Sequence, residues 1–150
     1  MDDGRNSIMP NSMNSKKILI FGVFDGIHEG HMSLINEAKK KGSNIVVVIA
    51  RDEVVERLKG KSPKYNEIER INSLLELEDI DQVFLGDKEE GSYRILKEIN
   101  PDEVLLGYDQ QPIFESLNKA IKEGALSDLK ISFAEAFKED ELHSSILNKK

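Results

Sequence analysis

Two of the three histidines in this chain lie three residues apart, in the segment His28-Glu29-Gly30-His31. The segment follows a largely apolar run, residues 18–24, and precedes an amphipathic stretch, which predicts a strand, a short loop and a helix. The first turn of a helix carries backbone N–H groups without partners inside the helix, and its dipole attracts phosphate. Two imidazoles at such a turn favour a site for phosphoryl chemistry.

Two other interpretations of this pair stay open. His31 precedes two apolar residues by one turn and could pack on the core, and His with carboxylate ligands could hold zinc. The sequence lacks the His-Glu-x-x-His spacing that brings two zinc-binding imidazoles together on a helix. We favour a ligand site because Gly30 lets a ligand approach the backbone, and Asp25-Gly26 forms a turn that can direct N–H groups inward.

The elements that must position these residues follow from hydrophobic patterning. Strands are predicted near residues 17–23, 44–50, 81–86, 103–106 and 129–133, and helices near residues 30–41, 66–77, 92–98 and 112–123. This alternation predicts an α/β fold, a single-domain Rossmann-like doubly wound parallel five-stranded sheet with helices on both faces. Ligands bind such sheets beyond the carboxyl ends of the strands, where the strand order reverses. The loops to examine are therefore residues 24–30, 51–65, 86–91 and 107–111, and the segment after Phe133.

Helix ends and buried faces are predicted in more detail. The first helix should end before Gly42 at the C′ position. The second should be capped by Asn66 with Glu69. The side chains expected to face the core are Leu34, Ile35 and Ala38 in the first helix, Ile68, Ile71 and Leu75 in the second, and Ile113, Leu117, Ala120 and Ile121 in the fourth.

Composition limits the classes of function. The chain has 150 residues, 39% of them hydrophobic, and we expect a disordered tail over residues 1–16 followed by one domain over residues 17–150. The formal net charge of −7 argues against nucleic-acid or anionic-membrane partners. No apolar run approaches the ~20 residues that span a bilayer, so a cytoplasmic protein is expected. The absence of cysteine excludes disulfides, thiolate nucleophiles and Cys-ligated zinc.

A resemblance sharpens this interpretation. Residues 22–31, GVFDGIHEGH, resemble the signature of the cytidylyltransferase-like nucleotidyltransferase superfamily, whose members transfer a nucleoside monophosphate from a nucleoside triphosphate to a phosphorylated acceptor. Further segments match that family in order and spacing, and the resemblance covers about residues 17–147: Arg51-Asp52, Gly60-Lys61, Arg70, Leu106-Gly107-Tyr108-Asp109-Gln110 and His143-Ser144-Ser145. The Gly-Tyr-Asp-Gln loop and the late His-Ser-Ser are most similar to archaeal-type FAD synthases, which transfer AMP from ATP to FMN.

The resemblance implies roles for particular residues. His28 and His31 would bind the triphosphate and stabilise charge at the α-phosphorus, with Lys61 as a further catalytic charge. Lys61 and Arg70 would contact the substrates. The nucleotide contacts would come from Val23, Phe24, Asp25, Gly30, His31, Gly107, Tyr108, Asp109, Gln110, Ser144 and Ser145. The resemblance also implies Mg²⁺ accompanying ATP, no protein metal site, small-molecule substrates as partners, and a homodimer.

Structural alternatives exist for several of these residues. Lys61 could belong to an exposed basic loop, and Arg70 could pair with Glu67 or Glu69. Asp109 or Gln110 could cap the helix that follows them. A serine of the late His-Ser-Ser segment could likewise cap a short terminal helix. Two departures from the family also stand out: Val23 replaces a frequent threonine, and the acidic segment 134–141 lacks an arginine, which leaves Lys138 as its cation.

The leading hypothesis is therefore an FMN adenylyltransferase. FMN needs an apolar slot for its ring, and the candidates are Tyr65, Phe84 and Phe114. A cytidylyltransferase acting on glycerol 3-phosphate or a similar small acceptor would keep the same phosphate-handling residues. A non-catalytic nucleotide-binding module is a third hypothesis, motivated by Val23 and the missing arginine.

Overall fold

A parallel five-stranded sheet organises the part of the chain that the computed structural model describes, residues 16–89 and 91–135. The elements are, in chain order, β1 (Lys17–Gly22), α1 (Glu29–Lys41), β2 (Asn44–Ile49), α2 (Asp52–Lys59), α3 (Glu67–Leu75), β3 (Gln82–Leu85), α4 (Arg94–Ile99), β4 (Glu103–Leu106), α5 (Gln111–Lys122) and β5 (Lys130–Phe133). The predicted strands are all confirmed, to within a few residues at their ends.

The strand order is β3-β2-β1-β4-β5. β1 pairs with β2 along its whole length, from Lys17↔Asn44 to Gly22↔Ile49, and pairs with β4 on its other side. The chain thus adds β2 and β3 on one side of β1, and then adds β4 and β5 on the other side. This reversal confirms the doubly wound prediction and places the expected ligand crevice at the carboxyl ends of β1 and β4.

Each face of the sheet carries its own apolar core. Alternate strand residues point to opposite faces, so neighbours such as Ile18 and Leu19 are both fully buried yet belong to different clusters. One cluster packs the sheet against α1 and α3 through Ile35, Ala38 and Leu74. The other packs it against α4 and α5 through residues including Leu117. Both faces are covered, as the near-continuous apolar strands predict.

The helix α2 was not predicted, since residues 51–65 were interpreted as a loop. Its first turn contains Asp52 and Glu53, its buried side is Val54 and Val55, and its C-cap Gly60 has a left-handed φ of 77°. These are ordinary helix signals. The helix has only eight residues, it contains the β-branched pair Val54 and Val55, and a lysine-rich segment follows it. These features weaken the helical pattern in the sequence.

α3 confirms the predicted cap and corrects the predicted face. The Asn66 side chain accepts from the Glu69 N–H at 2.8 Å, and the Glu69 carboxylate accepts from the Asn66 N–H at 2.9 Å. Ile68 and Leu75, expected in the core, are 60% and 50% exposed. The buried positions are instead Arg70 and Leu74, because contacts of Arg70 described below orient the helix.

The first and fifth helices bury the expected faces. Ile35, Ala38, Leu117 and Ala120 are buried, and the remaining predicted side chains pack on the same clusters. Gly42 follows α1 with an extended φ of −166°, so it is not a left-handed cap. A Cβ there would lie 2.5 Å from the Lys16 carbonyl oxygen, and this close approach explains the glycine.

A buried carboxylate, Glu103, lies at the amino end of the sheet. It accepts a hydrogen bond of 2.5 Å from Ser132 and lies 3.3 Å and 3.7 Å from the Lys41 and Lys130 ammonium groups. Desolvation raises the pKa of Glu103, but Ser132 and the two lysines lower it by more. The net pKa therefore lies below the usual value, and the carboxylate is ionised at neutral pH. Its negative charge is compensated by these side chains, and we assign it a role in stabilising the fold.

Residues 1–15 of the expected tail lie outside the described residues, and the tail remains a prediction. Lys16 already joins the sheet, since its carbonyl accepts from the Asn44 N–H at 3.2 Å. None of the helices in residues 16–89 and 91–135 combines the length and the apolar character needed to cross a bilayer.

Candidate active site

A cleft of about 720 Å³ opens at the carboxyl ends of β1 and β4, where the strand order reverses. Its walls come from the loop after β1, the first turns of α1 and the loop after β4, with Lys59 at the end of α2 and Ala134 and Glu135 after β5. Its lining residues are Phe21–Gly26, His28–His31, Ser33, Leu34, Lys59, Gly107–Gln110, Ala134 and Glu135. Of the predicted loops, those after β1 and β4 and the segment after Phe133 therefore meet here, the segment 51–65 contributes only Lys59, and the loop 86–91 does not line the cleft.

The two histidines form the start of α1. His28 is the N-cap, and its Nδ1 accepts from the Gly30 N–H at 3.0 Å. The His31 Nδ1 accepts from the His28 N–H at 3.2 Å, and the two rings stack with centroids 3.8 Å apart and planes 19° apart. The imidazoles thus supply the capping contacts that Ser, Asp or Glu usually make.

These hydrogen bonds select the tautomer of both rings. A nitrogen that accepts a hydrogen bond carries no proton, so each neutral imidazole holds its proton on Nε2. Desolvation by burial and, to a smaller extent, the neighbouring His28 lower the pKa of His31 to about 4, with Asp109 partly opposing both. His31 is therefore neutral at pH 7. The site offers two Nε2–H donors side by side, both on residues that line the cleft.

The loop after β1 supports the His31 ring from behind. Phe24 is 2% exposed, has a left-handed φ of 56°, and its ring centroid lies 4.5 Å from that of His31. A left-handed backbone at a bulky residue is unfavourable by about 1 to 3 kcal/mol and persists only where the surroundings enforce it. A Cβ on Gly22 would lie 2.5 Å from the Phe24 ring. Gly22 and Phe24 together hold one wall of the cleft.

Asp25 fastens a second loop to the first. Its Oδ2 accepts from the Lys64 N–H at 2.7 Å and its Oδ1 from the Tyr65 N–H at 2.8 Å. Desolvation raises the pKa of Asp25, but these two hydrogen bonds and the positive charges of Arg70 and Lys59 lower it more, so it lies below its usual range. Both carboxylate oxygens are engaged by the protein.

Arg70 lies behind the cleft and does not line it, with 1% of its surface exposed. Its guanidinium donates to the Val23 and Ala50 carbonyls at 2.8 Å, to the Tyr65 carbonyl at 3.0 Å and to Asp52 at 2.7 Å. The ion-pair partner is thus Asp52 on α2, where the sequence had suggested a glutamate on its own helix. The structure replaces the expected substrate contact of Arg70 with a positioning role between two strands and two helices.

The loop after β4 supplies the opposite wall. The Gln110 Oε1 accepts from the Gly107 N–H at 2.7 Å, and its Nε2 donates to the Phe21 carbonyl at 3.1 Å. Gln110 is the N-cap of α5 by position, but its side chain bridges β1 and β4 instead of capping the helix. Tyr108, 53% exposed, and Asp109 also line the cleft.

The lysine that lines the cleft is Lys59, whereas Lys61 is exposed and outside the lining. Sequence analysis missed Lys59 because α2 was interpreted as a loop. The Lys59-Gly60 pair, typical of a helix end, was the signal that could have found it. Ser33 and Glu135 also line the cleft without having been predicted. Ser144, Ser145 and Lys138 lie outside the described residues, so their roles stay predictions.

Within residues 16–89 and 91–135, no three His, Asp or Glu side chains are grouped so as to hold a metal ion. Asp25, the acidic residue of the signature, already accepts two backbone N–H groups. The described residues thus offer no cluster of three such ligands, and both oxygens of Asp25 are already engaged. A divalent cation at this cleft would be carried mainly by the phosphates of a substrate.

Comparisons with known proteins agree with this geometry. The cytidylyltransferase-like family model matches residues 19–150. Curated relatives called FAD synthase include that of Thermococcus sibiricus, 34% identical over 83% of this chain and 84% of the relative. Another, from Methanobrevibacter smithii, is 37% identical over 87% of this chain and 86% of the relative.

Solved structures show the same architecture. The crystal structure of the lipopolysaccharide core biosynthesis protein from Thermoplasma volcanium matches with a TM-score of 0.72 and 33% identity, covering 81% of this chain and 98% of that one. A pantoate-beta-alanine ligase from Francisella tularensis matches with a TM-score of 0.53 at 16% identity, covering 79% of this chain and 58% of that one. The latter likeness concerns the fold alone.

Proposed function

The chain belongs to the cytidylyltransferase-like family, and from this premise we propose that it is an FMN adenylyltransferase, which transfers AMP from ATP to FMN and yields FAD and pyrophosphate. FAD synthases that match more than four-fifths of both chains support the reaction. The observation that carries the proposal at the site is the stacked His28–His31 pair, in which both residues line the cleft and both Nδ1 atoms accept backbone N–H groups, so that each Nε2–H is left for a ligand.

The reaction is an in-line substitution at phosphorus. A phosphate oxygen of FMN forms a bond to the α-phosphorus of ATP, and the bond from that phosphorus to the oxygen bridging to the β-phosphate breaks. The electron pair leaves with pyrophosphate, so the enzyme needs no covalent nucleophile of its own. Positioning and preorganised donors supply most of the rate enhancement in such reactions.

His28 and His31 are proposed as the catalytic donors. Their Nε2–H groups would donate hydrogen bonds to phosphate oxygens of ATP. These bonds would stabilise the negative charge on those oxygens in the transition state of the transfer. The amino-terminal end of α1 adds its dipole to the same position. Lys59 would bring a positive charge to the phosphates from the end of α2, and Lys61 remains a second candidate cation from the adjacent loop.

The wall formed after β4 is proposed to hold the nucleoside of ATP. Tyr108 offers an aromatic surface for the base, and Asp109 offers a carboxylate that can accept from ribose hydroxyls. Val23, Phe24, Asp25, Gly30 and Gly107 would contribute backbone walls, and Gln110 would keep the two strands in register. Ser144 and Ser145 are proposed to reach the triphosphate.

Mg²⁺ is proposed to enter with ATP, because the described residues form no ligand set for it. When bound, it would offset the negative charge of the phosphates. A homodimer acting in the cytoplasm is proposed on the resemblance to the family, and the net charge of −7 supports substrates that are small molecules and not nucleic acids.

One experiment separates this proposal from its rivals. The purified protein is incubated with ATP or CTP, each with FMN or glycerol 3-phosphate, and both pyrophosphate and nucleotide products are measured. We expect pyrophosphate and FAD with ATP and FMN. Pyrophosphate only with CTP and glycerol 3-phosphate would show a cytidylyltransferase, and nucleotide binding without pyrophosphate on either acceptor would show a non-catalytic module.

A further inference from the structure

The acceptor of the proposed reaction carries a flat three-ring flavin that needs a surface on which to lie. We propose that the exposed ring of Tyr65 is this surface and that it determines the preference for a flavin acceptor. This inference rests on the proposed function and extends it to the part of the cleft that distinguishes one phosphorylated acceptor from another.

The backbone of Tyr65 is fixed on both sides of the residue. Its N–H donates to the Asp25 carboxylate at 2.8 Å, and its carbonyl accepts from the buried Arg70 guanidinium at 3.0 Å. The next residue, Asn66, caps α3. A side chain held on so fixed a backbone is preorganised, which reduces the entropy lost when a ligand binds it.

Tyr65 nevertheless remains 40% exposed, and it lies next to the cleft without being one of the lining residues. Its Cε2 atom lies 3.7 Å from the position that a Cβ on Gly26 would occupy, and Gly26 lines the cleft. The Lys64 ammonium lies over the ring at 5.5 Å from its centroid. A large aromatic ring left exposed between a fixed loop and a cleft is suited to stacking with a planar ligand.

The other candidates for a flavin platform pack elsewhere. Phe84 and Phe114 both pack against the core cluster on the α4–α5 face, and the Phe114 ring lies 5.5 Å from that of Phe133. Both therefore contribute to the core on the face of the sheet opposite α1. Tyr65 is thus the one of the three aromatic residues suggested by the sequence that lies next to the histidine site.

The sheet order separates Tyr65 from Tyr108. Tyr65 follows β2, the histidines follow β1 and Tyr108 follows β4, and these strands are neighbours in the order β2-β1-β4. The product FAD has the same arrangement, with a flavin and an adenine at opposite ends of a central pyrophosphate. In strand order, β1 with its histidine loop thus lies between the strand that precedes Tyr65 and the strand that precedes Tyr108, as the pyrophosphate of FAD lies between its two aromatic groups. Lys59, which also follows β2, lines the cleft and is the cation proposed above for the phosphates.

The test compares three substitutions at Tyr65 in the full chain. Tyr65→Leu keeps an apolar side chain without a π-face, and we expect it to raise the KM for FMN about tenfold, while the KM for ATP and kcat change by less than about twofold. Tyr65→Phe and Tyr65→Trp keep a stacking face and should stay near wild type. Leu75→Ala, which changes a 50% exposed residue of α3 outside the cleft, is the control and should alter neither KM.

A spectroscopic measurement gives a second readout. Stacking on tyrosine or tryptophan quenches flavin fluorescence, so FMN is titrated with each variant in the presence of α,β-methylene-ATP, which cannot release pyrophosphate. Quenching should be strong for wild type and Tyr65→Trp and weak for Tyr65→Leu. An unchanged KM for FMN together with unchanged quenching in Tyr65→Leu would overturn the inference, whereas failure of the wild-type protein to form FAD would overturn the proposed function itself.

Discussion

The histidine pair has two tasks that use different atoms of the same rings. The Nδ1 atoms accept backbone N–H groups and start α1, while the Nε2–H groups remain for a ligand. The sequence predicted the pair and its position at a helix start. It could not predict the stacking or the tautomers, because these depend on the Phe24 ring and on a left-handed backbone that no local pattern encodes.

His28 variants can separate the two tasks. In His28→Asn, the amide oxygen occupies roughly the place of Nδ1 and can still cap α1, but no donor replaces Nε2–H. We expect kcat to fall about 10²- to 10³-fold, with a melting temperature close to wild type. His28→Gln, whose amide nitrogen lies near the place of Nε2, should keep more activity and lose about 1 kcal/mol of stability with the cap. Steady-state kinetics and thermal unfolding check both, and the reverse order of activities would contradict the assignment.

His31 makes the stability of the protein depend on pH in a defined direction. Its folded pKa of about 4 lies below the ordinary histidine value of 6.5, so the unfolded chain binds more protons between these pH values. The contribution of neutral His31 is complete above about pH 6.5 and is lost as the pH falls towards 4. The free energy of unfolding, measured in urea from pH 4 to 7.5, should therefore fall more in wild type than in His31→Asn. Parallel curves would contradict the depressed pKa.

At the scale of elements, α2 and α3 are the part of the fold that sequence patterns described least well. The apolar positions of α3 predicted a face containing Ile68 and Leu75, but the guanidinium of Arg70 is buried and turns a different face inward. Its acceptors at Val23 and Ala50 are 47 and 20 residues away along the chain. Such a contact is set by tertiary structure, so neither helical periodicity nor spacing could reveal it.

Removing the Arg70 guanidinium should destabilise the protein strongly. Arg70→Met leaves Asp52 and three carbonyls without their donor, and we expect a loss of about 3 to 5 kcal/mol in urea unfolding. Arg70→Lys should recover little, because one ammonium cannot reach acceptors spread around a planar fork. Asp52→Asn in a double-mutant cycle with Arg70→Met should show that the two effects are not additive.

An exposed arginine provides the control for this series. Arg57 donates a hydrogen bond of 3.1 Å to the Lys88 carbonyl at the surface, and Arg57→Met should change stability by less than about 0.5 kcal/mol. A similar effect at both arginines would show that Arg70 does not connect these elements.

At the scale of the whole molecule, the sequence predicted most of the architecture. The three central strands, β1, β2 and β4, are largely apolar segments buried on both faces, which is the strongest pattern in the chain, and the alternation of all five strands with helices predicts the observed doubly wound order. The cleft at the strand reversal follows from that order. The choice of Lys59 over Lys61 does not, since it depends on where an eight-residue helix ends.

Truncation after Glu135 tests how function is distributed along the chain. Every element of the described residues and both core clusters lie within residues 17–134, so we expect circular dichroism and the urea midpoint to stay near wild type. The KM for ATP should rise, because Ser144 and Ser145 are proposed to bind the triphosphate. The double variant Ser144→Ala/Ser145→Ala in the full chain should raise that KM in the same direction. An unchanged KM in both would remove these serines from the site.

The outermost strands, β3 and β5, have only four residues each. An outer strand presents unpaired backbone groups that a sheet of another molecule can join, and a short one offers few of them. Lys130 at the start of β5 adds an exposed charge there. Concentrated solutions of this protein should consequently resist growth into fibrils by strand addition, even though the centre of its sheet is among the most apolar stretches of the sequence.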